Sequence, residues 1–358
     1  MSRILAVAPA LPEYAYAQEE ITAELSGLIT QDPRQRAVLS RFHAASGIAR
    51  RHTVLPLEQY RDLDGFTAAN DIWISEGTAL AARAVEAALW KAGLAADQVD
   101  FILFTSVTGI SAPSIDARLV PLLGMRPDVK RLPSFGLGCV AGAAGIARVH
   151  DYLAGHPRDI ALLVSVELCS LTLQRDDASV ANFVASGLFG DGAAAVLMAG
   201  DERAAELGLP GPEVVGTRSA LYPDSESVIG WDIGGTGFRI VLSAGVAETI
   251  DANVATDVTE LLATHGLEQP DVGAWVAHPG GPRVLEAFER GLGLDRDDLA
   301  ASWRSLDAVG NLSSSSVLHV LADMFEQPDG TNGMLFALGP GVTSEYVLLR
   351  WVSEKQAA

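Results

Sequence analysis

The 358 residues are 49% hydrophobic and 20% charged, with a formal net charge of −20 and Arg far outnumbering Lys. A chain of that length buries roughly three quarters of its unfolded surface and has a two-domain prior, and its composition excludes disordered and collagenous classes. The negative field excludes general nucleic-acid binding, so a phosphate-bearing substrate would need a local basic mouth.

Two cysteines, Cys139 and Cys169, make no disulfide framework, and no CxxC pair suggests zinc. The opening MSRILAVAPALPEY has too short an apolar run for a signal peptide, and no apolar stretch reaches 18 residues. A soluble, cytoplasmic protein with reduced thiols and no membrane span is expected.

SRILAVAPA reads as the opening strand. Residues 74–94 have the apolar spacing of a helix that closes on Gly93. VDFILFTS (99–106), IALLVSVEL (160–168) and AAAVLMAG (193–200) are apolar runs of strand length. Such strands between helices predict an α/β fold whose sheets are covered on both faces. GDERAAELGLPGPE (200–213) is the best linker candidate, which divides the chain into 1–211 and 212–358.

The second part echoes the first. VDFILFTSVTG is answered by VGAWVAHPGG (272–281), and SFGLGCVAGAAGIARVHDYL (134–153) by LDAVGNLSSSSVLHVLADMF (306–325). LFGDGAAAVLM is answered by ALGPGVTSEYVLLR. Cys139 to Asn311 and Ser106 to His278 are both steps of 172 residues. Three echoes in one order predict a duplicated α/β unit, with a small-residue helix from each half packed at the centre.

A buried cysteine is by itself as readily a small hydrophobe as a nucleophile. Cys139, however, stands at a predicted helix start, where free N–H groups and the dipole lower a thiol below its ordinary value of about 8.5. His278 ends the strand related by the repeat to the one beside Cys139, and histidine is the usual partner that ionises a cysteine. Asn311, the counterpart of Cys139, is placed as an amide donor or a plain N-cap. Nucleophile, imidazole and amide in one pocket would make an acyl-transfer site. GWDIGGTGF (230–238) leads into strand-like FRIVLS, which excludes a dinucleotide fingerprint.

With GCVAG at Cys139, GLFGDGAA at Phe189, HPGGP at His278, GNLSSSSV at Asn311 and LGPG at 338–341, the chain resembles the type III polyketide synthases. These are the chalcone-synthase-like branch of the thiolase-fold condensing enzymes, and the likeness runs from about residue 4 to Trp351. Ketoacyl-ACP synthase III, the nearest cousin, follows its histidine with Gln-Ala-Asn instead of Pro-Gly-Gly. The resemblance implies a thiolase-like α/β/α/β/α fold with two central buried helices, a homodimer and no cofactor, the substrates being CoA thioesters. It implies a catalytic set of Cys139, His278 and Asn311. A starter from acyl-CoA or acyl-ACP loads on Cys139, and malonyl-CoA loses CO₂ to an enolate held by His278 and Asn311. The enolate extends the chain, which then cyclises.

Phe189 matches the family's gatekeeper. Val107, Thr108, Cys169, Thr172, Trp231, Ile240 and Ser313 match cavity positions, and Ala112 matches the position that reaches across the dimer. Of the family's three basic residues at the CoA mouth, Arg41 alone remains, Val38 and Ala45 taking the other places, and Arg283 after HPGGP is the candidate to compensate. An alkylpyrone or alkylresorcinol from a fatty acyl starter is the expected product, with tetrahydroxynaphthalene from malonyl-CoA alone as the rival. A cysteine thioesterase and a non-catalytic dimeric module remain as other readings.

Overall fold

The computed structural model describes residues 1–175, 177–243 and 245–353. The first half runs β1 (Ser2–Ala10), β2 (Tyr14–Ala17), α1 (Gln18–Ile29), α2 (Pro33–Ala44), β3 (Arg50–Thr53) and α3 (Gly65–Ala92). It continues with β4 (Phe101–Thr105), α4 (Ile115–Leu122), β5 (Lys130–Ser134), α5 (Ala141–Gly155), β6 (Ile160–Leu168), α6 (Val180–Leu188), β7 (Asp191–Gly200) and α7 (Asp201–Leu207). The second half runs β8 (Gly211–Leu221), β9 (Ile229–Gly234), β10 (Gly237–Leu242), α8 (Gly245–Thr264) and β11 (Val272–Ala277). It ends with α9 (Pro282–Leu292), α10 (Ala300–Val309), α11 (Ser316–Asp323), β12 (Asn332–Gly339) and β13 (Thr343–Val352).

Nine strands join in the order β11-β12-β13-β8-β1-β7-β6-β4-β5. From each edge inward the halves repeat. β4 and β6 are parallel, as are β11 and β12. The next two pairings are antiparallel in both halves, through β7 to β1 and through β13 to β8. Among the described residues the half-sheets pair where Ser2 meets Val214 and Arg3 meets Glu213. Among the described residues the second half has no counterpart of β5.

Alternation along β6 sorts its side chains into two cores. Leu162, Val164 and Val166 face the cluster built on α3, while Ala161 and Leu163 face the cluster built on α5 and α11. That central cluster also takes Val276, Leu335 and Leu349 from the second half, whose other face packs against α8 and α9. The layers are therefore α/β/α/β/α, the expected arrangement. Glycine lets the two central helices touch: a Cβ on Gly142 would lie 2.3 Å from the Ser314 carbonyl oxygen and 2.7 Å from Val317 Cγ1. No larger residue fits there without moving a helix.

Several boundaries differ from expectation. α3 ends at Gly93 (φ 65°) as read, but starts at Gly65 instead of 74, with Ala69 and Trp73 of its first turns already buried. The linker candidate 200–213 is α7 followed directly by β8. The central helices start later than expected, each behind a single 3-10 turn, Gly138–Val140 and Ser313–Ser315. Residues 229–242 form the β9–β10 hairpin, in keeping with the rejected dinucleotide motif.

Candidate active site

Cys139 lies in the 3-10 turn that feeds α5, buried, with its Sγ 3.6 Å from Ser313 Oγ. Gly138 has φ +55°, and a Cβ there would lie 2.6 Å from Pro340 Cδ, so the GC and LGPG motifs are two sides of one contact. Asn311 is placed five residues before α11, not at its start. It forms a bridge with Phe189, its N–H donating to the Leu188 carbonyl at 2.9 Å while its own carbonyl accepts from Gly190 N–H at 2.9 Å.

The Asn311 amide is oriented. Oδ1 accepts from the Ser313 N–H at 2.8 Å and from Ser316 Oγ at 3.3 Å. Nδ2 donates to the Gly280 carbonyl at 3.1 Å, leaving its second N–H for a ligand. Gly280 is two residues beyond His278, the residue that follows β11, which lies buried within the protein with its Nδ1 lacking a hydrogen-bond partner. Cys139, Ser313 and Asn311 are thus brought together directly, and His278 joins through the turn that Asn311 holds. Among the described residues no hydrogen bond links His278 to Cys139.

Burial opposes the expected resting thiolate. It pushes the Cys139 thiol up to about 12, against the Ser313 hydrogen bond and together with the charge of Glu167. It pulls His278 down to about 3. Both shifts favour the neutral thiol and the neutral imidazole in the resting protein.

Glu167, the last-but-one residue of β6, was not singled out from the sequence, although a lone acid in an apolar run was its signal. It is fully buried, and desolvation raises its pKa. One oxygen accepts from Ser313 Oγ (3.2 Å) and Ser314 Oγ (2.5 Å). The other accepts from Thr108 Oγ1 (2.9 Å), the Val107 N–H (3.1 Å) and Ser106 Oγ (3.3 Å). This network holds Ser313 at φ +51°, a conformation that L-residues otherwise avoid. Val107, Thr108 and Ser313 therefore surround Glu167.

A small cavity of about 40 Å³ lies beside this cluster. Five of the expected positions line it: Cys169, Thr172, Phe189, Trp231 and Ile240. Cys169 is near enough to Cys139 that ionising either thiol would disfavour ionising the other, and burial raises Cys169 as well. Phe189 and Trp231 approach at 6.5 Å between ring centroids, and Trp231 meets Phe238 edge-on at 6.2 Å. Val107, Thr108 and Ser313 are not on its wall, and neither are Cys139, His278 and Asn311, which the sequence placed in one pocket. Ala112 lies apart, exposed, in the loop before α4.

Arg41, in the last turn of α2, and Arg283, in the first turn of α9, are both exposed. The loop after α2 adjoins the start of α9, since a Cβ on Gly47 would lie 3.6 Å from Pro282 Cγ. Neither arginine has an ion-pair partner among the described residues.

Models of the chalcone and stilbene synthases match residues 1–202 with their N-terminal domain and 213–353 with their C-terminal domain. The chain is 52% identical over 97% of its length, and 93% of the relative's, to 1,3,6,8-tetrahydroxynaphthalene synthase of Streptomyces peucetius subsp. caesius. It is 32% identical to an alpha-pyrone synthesis polyketide synthase-like protein of Mycobacterium tuberculosis, covering 88% of this chain and 83% of that one. The crystal structure of 1,3,6,8-tetrahydroxynaphthalene synthase from Streptomyces coelicolor A3(2) superimposes with a TM-score of 0.91 at 31% identity, covering 98% and 99% of the two chains.

Proposed function

Because the chain belongs to the chalcone and stilbene synthase family and is a type III polyketide synthase acting on CoA thioesters, we propose that it condenses malonyl-CoA alone, to tetrahydroxynaphthalene. The 52% identity to a tetrahydroxynaphthalene synthase over nearly the whole chain carries the product assignment. It moves the preference away from the fatty acyl starter, which retains support from the apolar cavity wall of Ile21, Leu25, Leu57 and Leu173 and from the alpha-pyrone relative.

Cys139 carries the growing chain in this reading. Its thiol begins neutral, and His278, equally neutral, is the base able to take the proton as a thioester carbonyl arrives. In the extension step, the free N–H of Asn311 and the His278 imidazole donate to the malonyl thioester oxygen. Loss of CO₂ leaves the electron pair as an enolate on that oxygen, and donors already in place stabilise it without reorganisation. The enolate carbon attacks the Cys139 thioester, forming a carbon–carbon bond and expelling the thiolate, which is reprotonated or reacylated. The Glu167 network keeps Ser313, and through it Cys139 and Asn311, in register.

Exposed Arg41, ahead of the loop that meets α9, and Arg283, in the first turn of α9, suit the phosphates of CoA. A homodimer is supported by the unpaired outer edge of β5 and by Ile110, Leu122, Leu132 and Phe135, each about half exposed near it. Buried but unpartnered Ser111 Oγ, Asp116 Oδ1 and Arg118 Nε lie in the same region, with Ala112 among them.

Purified protein incubated with malonyl-CoA alone, and with a panel of acyl-CoAs added, tests the assignment by product mass spectrometry. Tetrahydroxynaphthalene from malonyl-CoA alone is expected. Product that appears only with an added acyl-CoA would replace this reading with the alkylpyrone one.

A further inference from the structure

A buried cation without a contacting anion stands in the cavity wall. Arg51, on β3, is 3% exposed and lines the cavity with Phe189 and Cys169. Its Nε donates to Gln18 Oε1 at 3.0 Å and its Nη1 to the Phe189 carbonyl at 2.6 Å. Its Nη2 is buried and has no partner. The stem runs against Gly310, where a Cβ would lie 3.0 Å from Arg51 Cγ and Cδ, one residue from Asn311.

Asp191 does not neutralise it by contact. No ion pair joins the two among the described residues. Asp191 Oδ1 accepts from the Ser170 N–H at 2.7 Å, and Oδ2 accepts from Ser170 Oγ at 2.5 Å and the Val54 N–H at 2.7 Å. Burial pulls the guanidinium down to about 10, which still leaves it cationic at neutral pH. A buried N–H left without an acceptor is costly, so the cavity beside it favours a ligand that brings an anionic oxygen.

The proposed substrate supplies one. A fatty acyl starter offers a guanidinium nothing, whereas a malonyl group on Cys139 retains a carboxylate beyond its thioester. We infer that Arg51 Nη2 receives the free carboxylate of a malonyl starter carried on Cys139, and so is a specificity residue for malonyl priming over alkyl priming. This rests on the malonyl-only reading above. Loading itself is transthioesterification: the Cys139 Sγ–carbonyl bond forms, the bond from that carbonyl to the CoA sulfur breaks, and the thiol proton leaves with CoA as its free thiol. The ion pair also separates the two fates of one substrate. A carboxylate held by Arg51 must give up that partner to leave as CO₂, while an extender carboxylate placed elsewhere has no such restraint.

The test is rapid-quench loading of the full-length wild type, Arg51→Gln and Arg51→Lys with malonyl-CoA or hexanoyl-CoA, each adduct on Cys139 read by intact and peptide mass. In Arg51→Gln, malonyl loading should fall about ten- to a hundredfold while hexanoyl loading changes less than about threefold. Arg51→Lys should recover part of the malonyl rate. Equal loss of both adducts would assign Arg51 a purely structural role and overturn the proposal, as would unchanged malonyl loading. A wild type that loads hexanoyl but never malonyl would sink the malonyl-only reading, and this inference with it. A malonyl-primed wild type with an indifferent Arg51→Gln would sink this inference alone.

Discussion

Replacing Gly142 by alanine tests whether the meeting of α5 and α11 sets the site. The new Cβ would lie 2.3 Å from the Ser314 carbonyl oxygen and 2.7 Å from Val317 Cγ1, both far inside contact distance. Backbone on both sides leaves no flexible side chain to yield to that oxygen, so the helices must separate by about 1 Å. Overpacking of this kind costs about 3 kcal/mol, and Ala returns about 1 kcal/mol over Gly in a helix. The net is about 2 kcal/mol. Unfolding entropy of about 2.1 cal/mol/K per residue over 358 residues is about 0.75 kcal/mol/K, so Tm should fall by about 3 °C. Activity should suffer more. Ser314 neighbours Ser313, which holds Cys139, and an error of about 1 Å in a reacting group costs on the order of a hundredfold. Gly27→Ala in α1, with nothing within 4 Å of its new Cβ, is the control and should raise Tm by about 1 °C. A Gly142→Ala protein that melts at or above the wild-type temperature and keeps full turnover would refute the reasoning.

Asn311→Ala should lower kcat by about a hundred- to a thousandfold through loss of the preset donor to the enolate, with Tm recorded alongside to separate folding from chemistry. A loss below about threefold would remove Asn311 from that role. Alkylation of Cys139 by iodoacetamide should rise about tenfold per pH unit from pH 7 to 9, because burial holds the thiol near 12. A rate already flat from pH 6 upward would show a standing thiolate–imidazolium pair instead. Acid should destabilise the fold. Burial lowers His43, His278 and His319 to about 3, 3 and 4, so the unfolded state binds more protons below about 6.5 and their stability is lost as pH falls towards those values. Asp191, raised to about 6, and Glu167, also raised, act in the opposite sense. The three deeply buried histidines outweigh Asp191 between pH 6 and 5, so stability should fall with pH across that interval. Urea midpoints that do not drop between pH 6 and 5 would contradict this.

The internal repeat made much of the fold legible. The step from Ser106 to His278 joins residues just beyond β4 and β11, in like places, because each half folds the same strand order around one of the central helices, whereas Cys139 lies in its helix-entry turn and Asn311 just before the corresponding one. Local signals were weaker. The Gly- and Ser-rich stretches at 138 and 313 read as helix, yet each opens with a 3-10 turn that aims Cys139 and Ser313 at one another. The electrostatics were hidden. A helix start was expected to lower the Cys139 thiol, but desolvation outweighs it, and depth of burial is a property of packing that no short motif reports. Arg51 had no sequence signal at all: it is one of two adjacent arginines in a short strand of a separate two-stranded sheet, and only the packing of Gln18 and Phe189 around it distinguishes it from exposed Arg50.

Radiolabelled malonyl-CoA given to the wild type and to Cys139→Ala, with label followed on protein peptides and in released product, bears most directly on the site. The expected result is label on the peptide containing Cys139 and cyclised product from the wild type, with neither from the variant. Product from Cys139→Ala, or label resting on Cys169 in the wild type, would contradict the assignment of Cys139 as the acyl carrier.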